Sequence, residues 1–149
     1  MVAVEVETLQ RYSALTGRVL FSIIFLTGAL EHMRGAPSML AFTQARGVPW
    51  PRAAVLAAGV LMLLGGISIL LGLWARAGAA LLIVCLLPVT LFMHRPLTDP
   101  QQAVHFLKNI ALIGGALLLI AHGPGPLSLD ALRRQPPGAP PAGTADEVP

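Results

Sequence analysis

Residues 53–73 read AAVLAAGVLMLLGGISILLGL, a run without a single charged side chain. At about 1.5 Å per residue, a helix over this stretch is roughly 30 Å long. That is the thickness of a bilayer's hydrocarbon core. A buried helix of a soluble bundle would show a polar face somewhere along such a run, and this one shows none. Three further runs of similar character flank it, at residues 15–33, 76–93 and 105–121. The sequence therefore predicts an all-α protein, a bundle of four transmembrane helices. Only 11% of the 149 residues are charged, against about 25% in soluble domains, and the mean hydropathy is +0.73.

The segments between the runs complete the layout. Residues 1–14 carry Glu5 and Glu7 and lack a basic start, which argues against a cleaved signal peptide and leaves the first run in place as a span. Between spans one and two, Pro37 and Ser38 open a short helix with Met39, Leu40, Phe42 and Thr43 on its apolar side. Gly47 ends it, and Val48–Pro49 forces an extended exit. This short helix is expected to lie in the membrane interface. Trp50 and Trp74 stand at the two ends of span two, where indole rings favour the headgroup level. The turn at Trp74–Arg76 makes spans two and three an antiparallel hairpin. Pro88, inside span three, leaves the carbonyl four residues earlier without a partner and predicts a kink near Val84. Residues 94–102 read as a loop. The membrane domain covers residues 15–133, and the Pro- and Gly-rich stretch 134–149 reads as a disordered tail.

The formal charge of +3 does not indicate nucleic acid. The basic residues are thinly spread between apolar runs and form no stripe; the partner that the composition demands is the lipid bilayer. Counting Lys and Arg on the two faces gives a tie, and only the adjacent pair Arg133–Arg134 favours cytoplasmic termini. The lone Cys85, in the middle of span three, reads as a small apolar residue.

Polar residues inside spans are costly and each requires an explanation. On span one, Arg18, Ser22, Phe25, Ala29 and His32 fall on one stripe at helical spacing, predicted to face the bundle interior. At the opposite end, antiparallel topology gathers Glu31, His32, His94, His105, Lys108 and Asn109. Lys108 lies beside Ala111 and Gly115, a small-residue pair expected to be the packing side, which directs it inward. Three readings are open for it: an ion pair with Glu31, an ammonium snorkelling to the headgroups, or one wall of a polar pocket for a quinone headgroup or another small ligand. A metal centre from His32, His94, His105 and Glu31 lacks any HxxxH or ExxH pair, and haem lacks mid-span histidines. No catalytic triad or carboxylate pair is assembled, so the chain is not read as an enzyme on its own.

Several fragments in order resemble the DoxX family of integral membrane proteins: Gly17–Arg18 with Phe25–Leu26–Thr27–Gly28; Gly47–Val48–Pro49; Leu64–Gly65–Gly66 and Leu71–Gly72–Leu73 with Arg76; His94; Phe106–Leu107–Lys108–Asn109 with Ala111–Leu112–Ile113–Gly114–Gly115; and Gly123–Pro124–Gly125 with Leu127–Ser128–Leu129–Asp130. The resemblance implies a four-span bacterial inner-membrane protein with cytoplasmic termini. It further implies a link to quinone-coupled oxidation or redox-defence complexes, and a polar signature at Arg18, His94, Lys108 and Asn109. Where many relatives place a lysine at the end of span one, this chain has Glu31–His32. The expectation is a non-catalytic subunit or accessory of a membrane redox system with quinone as its ligand and an oxidoreductase as its partner. The alternative is a small homo-oligomeric transporter or channel.

Overall fold

The computed structural model describes residues 2–93 and 100–134. Its elements are α1 (Val2–Arg34), α2 (Pro37–Ala45), α3 (Pro51–Leu71) and α4 (Ala75–Pro88), which continues as a π turn, Val89–Met93. A single 3-10 turn, Pro100–Gln102, leads into α5 (Ala103–His122), and the short α6 (Leu129–Arg134) follows. Among the described residues, four helical stretches are long and apolar enough to cross a membrane: Val4–Arg34, Pro51–Leu71, Ala75–Met93 and Ala103–His122. The four-span bundle expected from the sequence is thus the observed fold. Of the expected loop over residues 94–102, residues 100–102 form the 3-10 turn, and residues 94–99 lie outside the described residues, as does the tail from residue 135 onward.

The spans pack in chain order, α1 on α3, α3 on α4 and α4 on α5, with α2 leaning on α3. Apolar area gives no driving force inside a bilayer, so close approach must come from small residues. At Gly65 an added Cβ would stand 2.6 Å from Leu82 and 3.0 Å from the Gly78 carbonyl; α3 and α4 meet there almost backbone to backbone. The buried core that results is Phe25, Ile69, Ala79, Leu82, Leu86 and Ala116. The Phe21 and Phe25 rings pack at 5.1 Å beside it. The predicted α1 stripe is confirmed: Arg18, Ser22, Phe25 and Ala29 are all buried, with His32 half-buried at its end.

Helix α1 starts at Val2, so residues 2–14 continue the first span. Its 33 residues extend over roughly 50 Å, some 20 Å more than the hydrocarbon core. Its first turns therefore stand outside the apolar slab, where Glu5, Glu7 and Arg11 require water; Arg11 is paired with Glu7 at 2.6 Å. Helix α2 follows the expected pattern, with Pro37 in its first turn and Thr43 buried. The change comes after Pro88 and not near Val84 as expected: α4 is regular through Pro88 and then gives way to the π turn, and the Thr90 hydroxyl donates to the Leu86 carbonyl at 2.6 Å. Trp50 and Trp74 are exposed at the two ends of α3. Both hold left-handed backbone, φ 48° and 50°, a conformation costly for a bulky side chain.

Candidate functional site

The polar residues of the spans separate into two groups at opposite ends of the bundle. The first is built around Arg18. Its guanidinium is buried between α1 and the segment that follows α5. Nη1 donates to the Pro124 carbonyl at 2.9 Å and Nη2 to the Leu127 carbonyl at 2.7 Å. Gly72, at φ +64°, is required here twice over. The left-handed turn after α3 favours glycine, and a Cβ would collide with the Arg18 guanidinium and with Ser128.

The clasped segment in turn closes the α3–α4 hairpin. The Asp130 amide donates to the Gly72 carbonyl at 2.8 Å. The Asp130 carboxylate accepts from the Trp74 amide at 2.8 Å and from the Ala75 amide at 3.0 Å. It thereby satisfies two of the donors that the start of α4 leaves open, and places a negative charge at the positive end of that helix. Ser128 donates to the Gly125 carbonyl at 2.6 Å and accepts from the Ala131 amide at 3.2 Å, capping α6. Arg133 lies over the Trp74 ring, 5.8 Å from its centroid. The strained Trp74 backbone is thus held from both sides by residues 130–133. Ser128 and Asp130 were legible only as part of a family fragment. Their signal was a Ser–Leu–Asp sequence right after a Gly-Pro-Gly-Pro stop, the pattern of a new helix start.

At the other end, three of the residues expected to cluster lie exposed. Lys108 is exposed, as are Glu31 and His105, and among the described residues no Glu31–Lys108 ion pair is formed. His32 faces α3, with its Cβ against Gly59, and its Nδ1 shares a 2.8 Å hydrogen bond with the Gly28 carbonyl. The inward face of α5 carries Asn109 and Ala116, both buried, whereas Ala111 is exposed. The Lys108–Ala111–Gly115 side is therefore not the packing side as expected. Gly115 alone meets a neighbouring helix, at the Phe21 ring. Lys108 lies within two turns of the start of α5, so its stem reaches the headgroup level without burying an ammonium. Asn109 is 4% exposed and makes no side-chain hydrogen bond to another described residue. His94 lies outside the described residues. The four expected site residues are thus not brought together. Arg18 bonds beyond the end of α5, and Lys108 and Asn109 lie near its start, about 20 Å away along the helix axis.

The fold and these two polar ends define an integral membrane protein, a four-span helical bundle clasped at one end by its own C-terminal segment. The DoxX family model matches residues 13–95. The chain belongs to the DoxX family. Among its relatives, the inner membrane protein YqjF of Escherichia coli is 30% identical over 129 residues, covering 85% of this chain and 95% of its own. The inner membrane protein YphA of the same organism is 31% identical over 121 residues, covering 78% of this chain and 86% of its own. No solved structure gives a significant match. These relatives together with the four apolar helices make this a multi-pass inner-membrane protein.

Proposed function

We propose that this chain is a non-catalytic subunit or accessory of a membrane redox system, and that the end of the bundle around Asn109 receives the headgroup of a quinone. The observation that carries this reading is the Asn109 side chain. It is buried in a span, and an amide with two donors and an acceptor is expensive in hydrocarbon unless it is bonded. A quinone carbonyl is an apolar-phase acceptor that an amide N–H suits. Lys108, exposed one residue away, supplies a cation at the rim. The electron transfer itself belongs to a partner oxidoreductase docked on the bundle. The termini are placed in the cytoplasm, which a reporter fused after Arg134 tests.

The decisive experiment is mass spectrometry of organic extracts from the purified protein, native and as Asn109→Leu and Lys108→Met. Stoichiometric isoprenoid quinone in the native chain that is lost in Asn109→Leu supports the reading, as does an oxidoreductase that co-purifies with the native chain. Equal traces of quinone in all three preparations overturn it.

A further inference from the structure

Helices α1 and α5 do not close on each other along their whole length. Near the termini they leave a groove of about 250 Å³, walled by Gly17, Arg18, Phe21, Gly115, Leu119 and Pro124. Its position is fixed by its neighbours. Arg18 lies against Gly72 at the end of α3, and Trp74, two residues on, is exposed as an interfacial indole. The groove therefore opens toward lipid at the depth where phospholipid phosphates sit.

Its electrostatics are lopsided. Arg18 is 4% exposed and its hydrogen bonds go only to neutral carbonyls. Its Nε, and one turn on the Ser22 hydroxyl, are buried without a partner among the described residues. The nearest carboxylate, Asp130, acts on Arg18 through its field but is bonded to the start of α4. On the far side of Pro124 a second hollow, about 260 Å³, adds Arg76 and Arg134 beside Trp74 and the same Asp130. Arg76 and Arg134 are exposed there, so Arg18 is the one buried cation among these three guanidiniums. A buried cation without an anion in contact is expensive in a low dielectric, and the bilayer itself supplies anions at this depth.

From this we infer that the α1–α5 groove is a binding site for one anionic phospholipid. The phosphodiester faces Arg18, and an acyl chain runs over Phe21, Gly115 and Leu119. The lipid supplies the missing counter-charge and fills the gap between the first and last spans. The site is separate from the Asn109 end and does not depend on the redox reading.

Gly17 provides a clean test, because a Cβ there meets nothing within 4 Å. Gly17→Leu fills the groove while leaving Arg18 and its two bonds in place, and Gly17→Ala serves as the small control. Native mass spectrometry of the detergent-purified chain, titrated with phosphatidylglycerol or phosphatidylcholine, reads the site. The native chain and Gly17→Ala should favour phosphatidylglycerol by about tenfold, the scale of one charge-assisted contact, and Gly17→Leu should lose that preference. A photoactivatable phosphatidylglycerol in nanodiscs, applied to the native chain, should label peptides covering residues 13–21 or 115–124. Equal binding of the two lipids overturns the proposal. So does a preference that survives in folded Gly17→Leu, displacement by a neutral quinone, or labelling confined to other faces.

Discussion

Substituting Arg18→Met tests whether the clasp, more than any ligand, is what this arginine sustains. The change removes two hydrogen bonds from a charged donor, to the Pro124 and Leu127 carbonyls. Such bonds contribute about 1.5–3 kcal/mol each. Part of that is returned, because the variant no longer buries a charge and because the half-buried Leu127 carbonyl finds water. A net loss of roughly 3 kcal/mol falls on residues 123–134 and the α3–α4 turn they cover. The sensitive reporters are the Asp130 amide, bonded to the Gly72 carbonyl, and the Trp74 and Ala75 amides, bonded to the Asp130 carboxylate. Opening of the segment frees all three together. Hydrogen exchange in nanodiscs should therefore quicken at these sites by about a hundredfold, at one decade per 1.4 kcal/mol. Amides in the middle of α3 should barely respond. If exchange at Asp130 changes by less than about threefold in a folded variant, the two bonds do not hold the segment, and the clasp is refuted.

Gly72→Ala should cost more than about 2 kcal/mol, since it combines left-handed strain with a collision against Arg18 and Ser128; thermal unfolding in detergent measures it. Asp130→Asn keeps one oxygen acceptor and loses the charge at the start of α4, so exchange at Trp74 or Ala75 should rise by an amount corresponding to about 1 kcal/mol. Lys108→Gln, by contrast, should leave thermal stability within about 0.5 kcal/mol, because the exposed ammonium has no ion pair with Glu31 to lose; a drop well beyond that would restore the ion pair.

The spans were legible as long apolar runs, and the buried stripe of α1 as a pattern at helical spacing. Arg18, Ser22, Phe25 and Ala29 recur at helical spacing, and the two polar residues among them mark a stripe that is costly to turn toward lipid. Helix α5 misled for another reason. Its polar residues Lys108 and Asn109 are adjacent and so lie on different sides of the helix, and the small-residue pair Ala111 and Gly115 pointed to the Lys108 side although Asn109 and Ala116 are the buried ones. The clasp was hidden for a different reason. Its acceptors are backbone carbonyls 106 and 109 residues from Arg18 in the chain, and a carbonyl carries no residue signature. Asp130 misleads in the same way. It sits in the first turn of α6, where an acid ordinarily serves its own helix, yet its carboxylate serves the start of α4.

Burial alone makes Arg18 and Asn109 look equivalent, two polar side chains that a bilayer should not tolerate. What the protein offers each of them is different. Arg18 receives two carbonyl acceptors from a segment whose own geometry depends on it, so its loss propagates first into the fold of the hairpin and only then into anything bound nearby. Asn109 receives no side-chain hydrogen bond from another described residue, so its loss removes demand without releasing a structural contact. It follows that a defect seen on replacing Arg18 is not by itself a sign of ligand chemistry, and that a defect seen on replacing Asn109 in a chain of unchanged stability is. Arg18 and Asn109 are thus residues of unlike kind, and the informative comparison is between variants at the two ends of the bundle in the same assay.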